Sequence, residues 1–355
     1  MRRGILGFAV SFGLTVLFLV IGLSRPFEGV GFRTGEIAAS VSPLVSVSGL
    51  ISPETGGKVG DEKFGFCLSA GPGLVRVNAE LVVDRKTEPV GAPVVPGTVF
   101  EARATIQGLP VTRFGSPVTI AIYFSPSNLP PGVRTEELFV AAYSERLGKW
   151  VALPTVVDTR AGVAKGRTIH LATFALVAMP GMRTMPDMSG HWAEEFVVAL
   201  QSLGIVSGCP DGTFKPDEVV TKAEFATLVG SAVGLKPVDA SGSPLTDIAD
   251  HWAAGYIEAC RQAGLLMEDE GRYDPDEAIT RAEMAVVLGR AVKVNPFDAA
   301  TGFQDDASIP AWARGYVCIL RNRGVISGRP GNVFDPFGAG TRAESAKIVW
   351  EILMR

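Results

Sequence analysis

Three tryptophans, Trp192, Trp252 and Trp312, stand 60 residues apart, and each opens the same series of residues. An alanine follows each Trp at once. Twelve positions after the Trp comes Gly204, Gly264 or Gly324, then two apolar residues, then Phe214 and Pro216, Tyr273 and Pro275, or Phe334 and Pro336. Each series closes on Thr221-Lys222-Ala223-Glu224, Thr280-Arg281-Ala282-Glu283 or Thr341-Arg342-Ala343-Glu344. A period this long marks one supersecondary unit repeated three times. One such unit cannot cover its own apolar face, so the three are predicted to pack around a shared axis.

Each unit reads as helix, loop, helix. Trp192, Phe196, Leu200 and Leu203 recur at helical spacing, and Tyr256 with Cys260 and Tyr316 with Leu320 fall on the same stripe of the later copies. Gly204, Gly264 and Gly324 are placed to stop the first helix. In the second helix Val229, Val233, Leu288, Val292, Val349 and Leu353 are predicted to supply the buried face.

Before Pro180-Gly181 the pattern is different. From about Val41 to Ala178 short β-branched runs alternate in polarity and are broken by Gly and Pro, which predicts strands. Val75, Val77, Ala79, Leu81 and Val83 take every second position, as do Val118, Ile120 and Ile122, while Pro130-Pro131-Gly132 and Leu147-Gly148-Lys149 mark turns. An antiparallel β-sandwich is the expected solution.

At the start, Arg2 and Arg3 precede an uncharged apolar run from Ile5 to Leu23 that ends at Arg25. This reads as an export signal, long enough at 19 residues to serve instead as an uncleaved membrane anchor. The basic residues on its N-terminal side place the rest of the chain outside the cytoplasm in either case. Apolar residues make up 47% of the 355, enough for real cores, and 33 basic against 37 acidic residues exclude a global attraction for nucleic acid. Any anion binding must therefore be local. Cys67, Cys209, Cys260 and Cys318 have neither zinc spacing nor equivalent positions and are expected as small buried apolar residues. No catalytic set is visible, and no cofactor or metal is expected. His191 and His251 precede Trp in two copies but Ala311 replaces them in the third, which argues against a repeated metal ligand.

The repeated motifs have both structural and binding readings. Thr-x-x-Glu is a capping box. Lys222, Arg281 and Arg342 inside it are harder to explain by structure, because a cation in the first turn opposes the helix dipole. A basic group beside free helix-terminal amides makes an anion site, whereas a solvated or internally paired cation is the alternative. The tryptophans suit either core or ligand platform. Asp187, Asp247 and Asp305 suit N-caps, turns, or a groove that accepts sugar hydroxyls.

Taken together, Asp, Trp-Ala, Gly with two apolar residues, Gly-x-Phe-x-Pro and Thr-Arg-Ala-Glu resemble the S-layer homology (SLH) family over roughly residues 185–354. The resemblance implies an all-α pseudo-three-fold bundle of three helix-loop-helix SLH repeats whose grooves bind a pyruvylated secondary cell-wall polysaccharide. It implies an anion-gripping role for Arg281 and Arg342, a groove-acid role for Asp187, Asp247 and Asp305, and a groove-aromatic role for Trp192, Trp252 and Trp312. Lys222 stands where the family has Arg, and Asp306 rivals Asp305. The stretch from Ser116 through Trp150 to residues 170–176 also resembles ZU5-like β-sandwich modules, which implies a spacer or interaction role.

The expected organisation is residues 1–27 as signal peptide or signal anchor, 28–182 as β-sandwich, and SLH repeats at 183–242, 243–299 and 300–355. A non-enzymatic, cell-wall-anchored surface protein is the leading functional expectation, with a membrane contact through the N-terminal helix if it is retained. The alternative gives the main task to the sandwich, binding an unidentified protein or carbohydrate partner, and leaves the repeats as a tether.

Overall fold

A computed structural model describes residues 46–87, 94–267, 271–297 and 299–354. The predicted export segment lies outside them, and among the described residues no helix is long and apolar enough to cross a membrane.

The strands are β1 (Ser46–Ile51), β2 (Gly57–Asp61), β3 (Phe66–Ala70), β4 (Ala79–Arg85), β5 (Phe100–Ile106), β6 (Leu109–Val111), β7 (Arg113–Tyr123), β8 (Leu138–Ser144), β9 (Lys149–Ala152), β10 (Thr155–Asp158), β11 (Val163–His170) and β12 (Thr173–Ala178). One sheet runs β1-β4-β5-β12-β8-β9 with β6 on β5, the other β10-β11-β7-β3-β2, and every pairing is antiparallel. This is the sandwich-like region that the alternation predicts. Val118, Ile120 and Ile122 of β7 point inward against Leu81 and Val83 of β4 in one buried cluster. Phe66 bridges the two sheets, its ring 5.0 Å from Phe100 and 6.3 Å from Phe174. The alternating run predicted from Val75 begins later, because β4 starts at Ala79 and Val77 lies exposed in the preceding turn.

Six α-helices follow among the described residues: α1 (Glu194–Ser202), α2 (Lys222–Ala232), α3 (Ala254–Gln262), α4 (Arg281–Ala291), α5 (Ala311–Asn322) and α6 (Arg342–Leu353). The second helix of each repeat packs on the first helix of the next: α2 on α3, α4 on α5, α6 on α1. Gly230 and Gly289 allow the first two of these approaches, since a Cβ on Gly289 would meet the Tyr316 ring and one on Gly230 the Cys260 sulfur. The short extended segments leading into the second helices bond in a closed cycle. Val220 N–H donates to the Gly340 carbonyl at 3.0 Å, Gly340 to Ile279 at 3.1 Å, and Ile279 to Val220 at 3.1 Å.

The stripe on the first helices is rotated from its predicted position. The buried face is Ala193, Val197 and Leu200, repeated as Ala253, Ile257 and Cys260 and as Ala313, Val317 and Leu320. The alanine after each Trp faces the core, so the Trp faces out. On the second helices Val229, Leu288 and Val349 are fully buried, whereas Val233, the cap residue of α2, is exposed. Gly204, Gly264 and Gly324 close the first helices with φ of 72°, 71° and 66°, a left-handed geometry that favours glycine. Three cysteines are buried as expected, but Cys209 sits half-exposed in a loop.

Sandwich and repeats share a buried contact. Phe139 and Ala152 of the sandwich pack on Met182 and on Val198 of α1. The Ser202 hydroxyl accepts from the Ala152 N–H at 3.2 Å and donates to the Ala199 carbonyl at 2.7 Å. The first helix of repeat 1 thereby covers the end of β9, an edge strand that would otherwise invite pairing.

Glu258 on α3 is a buried carboxylate that ties repeat 2 together. It accepts from Ser243 Oγ at 2.7 Å, from Arg261 Nε and Nη2 at 2.8 Å each, and from Gln262 Nε2 at 2.8 Å. The Arg261 bonds, with help from Ser243 and Gln262, hold its carboxyl down at about 2 against the opposing effect of burial. Its ionised form therefore stabilises the fold fully above the ordinary value of 4.5, and that contribution is lost as pH falls through about 2. Glu258→Gln is expected to lower stability by roughly 1.5–3 kcal/mol at pH 7. Urea titrations should show the gap between the two proteins closing toward pH 2.

Candidate functional site

The N-termini of the second helices are closed sites. All three capping boxes form, with Thr221, Thr280 and Thr341 each accepting from the amide of its own Glu. The next two amides, which the anion-site reading leaves free, are taken by carbonyls of the following repeat. Lys222 and Ala223 donate to Glu277 and Pro275, Arg281 and Ala282 to Gly338 and Pro336, Arg342 and Ala343 to Glu218 and Pro216, all at 2.8–3.0 Å. The expected amide cradle for an anion is thus corrected: protein oxygens already fill it.

The cations follow the same cycle. Arg281 Nη1 donates to Glu344 at 2.9 Å and Arg342 Nη1 to Glu224 at 2.6 Å, while Lys222 Nζ lies 3.8 Å from Glu283 and 3.0 Å from Glu277. Each capping-box Glu thus has two tasks, one oxygen on its own Thr amide and the other toward the cation of the preceding repeat. Arg281 is 5% exposed; its Nε donates to the Phe334 carbonyl at 2.7 Å, its Nη2 to the Ser327 carbonyl at 3.1 Å, and it lies over the Phe334 ring. Burial draws its pKa below the ordinary arginine value, with Glu344 opposing the shift. Arg342 sits similarly on Phe214, but it and Lys222 remain partly open to solvent.

Asp187, Asp247 and Asp305 do not pair with these cations. Each carboxylate instead accepts the two successive amides of Phe214 and Lys215, Tyr273 and Asp274, or Phe334 and Asp335. The second residue of each pair has φ between 54° and 60°, so the Asp secures a left-handed loop corner. Asp305 takes this position, while Asp306 binds the Thr301 amide and hydroxyl.

The tryptophans lie outside the core, with Trp192, Trp252 and Trp312 exposed by 53%, 67% and 46%. In repeats 1 and 2 a histidine braces the indole. His191 and His251 each accept through Nδ1 from the amide of Ala193 or Ala253 at 3.1 Å, and their rings lie 5.4 and 5.5 Å from the Trp rings. Their Nε2 atoms face Asp217 at 3.5 Å and Asp276 at 3.3 Å. In repeat 3 both partners change, to Ala311 and to an exposed Phe337. The sequence argument weighed the histidines only as a repeated metal ligand, which it rejected, though the joint change of His and Asp in repeat 3 was a readable sign of their pairing. Among the described residues no cluster of His, Cys, Asp and Glu could hold a metal ion.

Against known proteins, residues 184–226, 244–285 and 302–346 match the S-layer homology domain. The chain is 31% identical over 255 residues to an amylopullulanase of Thermoanaerobacterium thermosulfurigenes, covering 70% of this chain and 13% of that protein. That stretch exceeds the repeats and so runs into the sandwich. It is 35% identical over 176 residues to the exoglucanase XynX of Acetivibrio thermocellus, 48% of this chain and 16% of that one. An S-layer protein of Bacillus licheniformis is 30% identical over 171 residues, 47% of this chain and 19% of its own length. The matched part of the chain is thus less than a fifth of each of these relatives. Three matches in register, with one tryptophan, one aspartate clamp and one capping box in each, make residues 184–346 of this chain three S-layer homology domains.

Proposed function

We propose that this chain is a non-enzymatic surface protein held on the cell wall by its three S-layer homology domains, which bind an acidic, pyruvylated wall polysaccharide. The observation that carries the reading is the equivalent exposure of Trp192, Trp252 and Trp312 on domains of this family. The closed cycle of backbone bonds and cation–glutamate contacts supports a pseudo-three-fold bundle of repeats 183–242, 243–299 and 300–355. In it the indoles form the sugar-facing platforms. Arg342 and Lys222 offer their open N–H groups to the polymer's carboxylates, and Arg281, Asp187, Asp247 and Asp305 hold the loops that shape the grooves. Residues 1–27 export the chain and 28–182 form the displayed sandwich.

The test is sedimentation of the full chain with isolated cell-wall sacculi before and after mild acid has removed pyruvyl groups. Binding is expected to fall at least tenfold on the stripped walls. Equal binding to both would remove the carboxylated sugar from the reading, and no binding to either would remove the wall.

A further inference from the structure

A cleft of about 820 Å³ lies where the sandwich meets repeat 1. Tyr143, Lys149 and Trp150 of the β8–β9 hairpin line one side, and Gln201 with the loop around Ser207 lines the other. Its walls are fixed relative to each other, since the buried contact of Phe139, Ala152, Met182 and Val198 and the Ser202–Ala152 hydrogen bond join them directly. The width of the cleft is therefore set by packing.

Its chemistry differs from that of the surrounding surface. In a chain of net charge -4, the described residues that line the cleft include no Asp or Glu but two cations, Lys149 and Arg183. Both side chains are exposed, and neither has a hydrogen bond or ion pair with any described residue. The half-buried Tyr143 ring meets the buried Trp150 ring edge to face at 5.3 Å and brings an aromatic surface to the same wall. Gln201 and Ser207 add uncharged polar residues to the lining. Cations without a partner among the described residues, an aromatic surface and uncharged polar groups are a combination that fits a sugar ring bearing a carboxylate. The loop at Ser207 leads to Phe214, whose carbonyl accepts from Arg342 Nε.

We propose that this cleft is a separate binding site for a carboxylated saccharide unit, built jointly by the sandwich and the first repeat. The choice of a sugar over another carboxylate rests on the wall-polymer reading above; the positive charge of the site does not. The sandwich is then part of the recognition surface as well as the displayed part of the chain.

The full chain would be titrated calorimetrically with trigalacturonate and with neutral galactotriose. The native protein should prefer the trigalacturonate, and Lys149→Ser with Arg183→Ser should weaken its binding at least tenfold. Arg146→Ser with Lys236→Ser, which removes the same charge from exposed positions outside the cleft, should leave it within twofold. All these side chains are exposed, so an unchanged thermal midpoint checks the fold. Absence of trigalacturonate binding, or equal affinity in the native and cleft variants, overturns the site. If the chain sediments with sacculi and the cleft variant binds trigalacturonate normally, the cleft fails and the anchor stands. If it does not sediment and only the cleft variant loses trigalacturonate, the anchor fails and the cleft stands.

Discussion

Arg281→Ala is expected to destabilise the repeat domain by about 3–5 kcal/mol, the cost of leaving a buried ion pair half-made. Its guanidinium meets Glu344, two backbone carbonyls of repeat 3 and the Phe334 ring, all from a side chain that is 5% exposed. Removing it strands the Phe334 and Ser327 carbonyls and leaves Glu344, among the described residues, with only Arg329 as a cationic partner. Arg342→Ala, with partial solvent access at its Glu224 pair, should cost roughly 1.5–3 kcal/mol. Lys222→Ala should cost no more than about 1 kcal/mol, since its nearer partner Glu277 is mostly in solvent. Urea unfolding of the full chain measures all three. An unchanged midpoint for Arg281→Ala would mean that these bonds contribute nothing net and that the arginine is free to serve a ligand. With the expected ranking, loss of wall binding by Arg281→Ala reports lost structure, and only Arg342 and Lys222 are informative as contact residues.

Periodicity made the architecture legible, because a 60-residue repeat of Trp, Gly, aromatic-x-Pro and Thr-x-x-Glu leaves few ways to bury three helix pairs. Alternation at Val118, Ile120 and Ile122 likewise located an inner strand face of the sandwich. Within a repeat the capping boxes and the terminating glycines could be read directly, being contacts between near neighbours in the chain. The relations between repeats could not. The carbonyl of Pro275 that takes the Ala223 amide, and Glu224 that takes Arg342, belong to other copies and come close only once the cycle has closed. For the same reason a helix terminus that looks open in one repeat is filled in three. The orientation of Trp192 was ambiguous by a single residue: a stripe through 192, 196 and 200 and one through 193, 197 and 200 share Leu200, and the small volume of Ala193 hides that it is the core-facing member.

That orientation leads to the second large effect. Trp192→Ala, Trp252→Ala and Trp312→Ala together are expected to weaken sedimentation with sacculi by more than about 100-fold, because aromatic anchors dominate such contacts and linked sites multiply. Stability should change little, since the rings are 46–67% exposed and each neighbouring alanine keeps the core contact. The single substitutions should be unequal. His191 and His251 each hold the ring beside them and are held in turn by a backbone amide, so Trp192 and Trp252 are ordered before a sugar arrives. Trp312 has no histidine before it, and a contact there must order the ring on binding at a cost of about 0.5–1.5 kcal/mol. Trp192→Ala and Trp252→Ala should therefore each lose about tenfold in affinity and Trp312→Ala less. A triple variant that sediments like the native chain, with its urea midpoint intact, would exclude the indoles as the contact. Binding would then rest on Arg342 and Lys222 or on the cleft beside the sandwich.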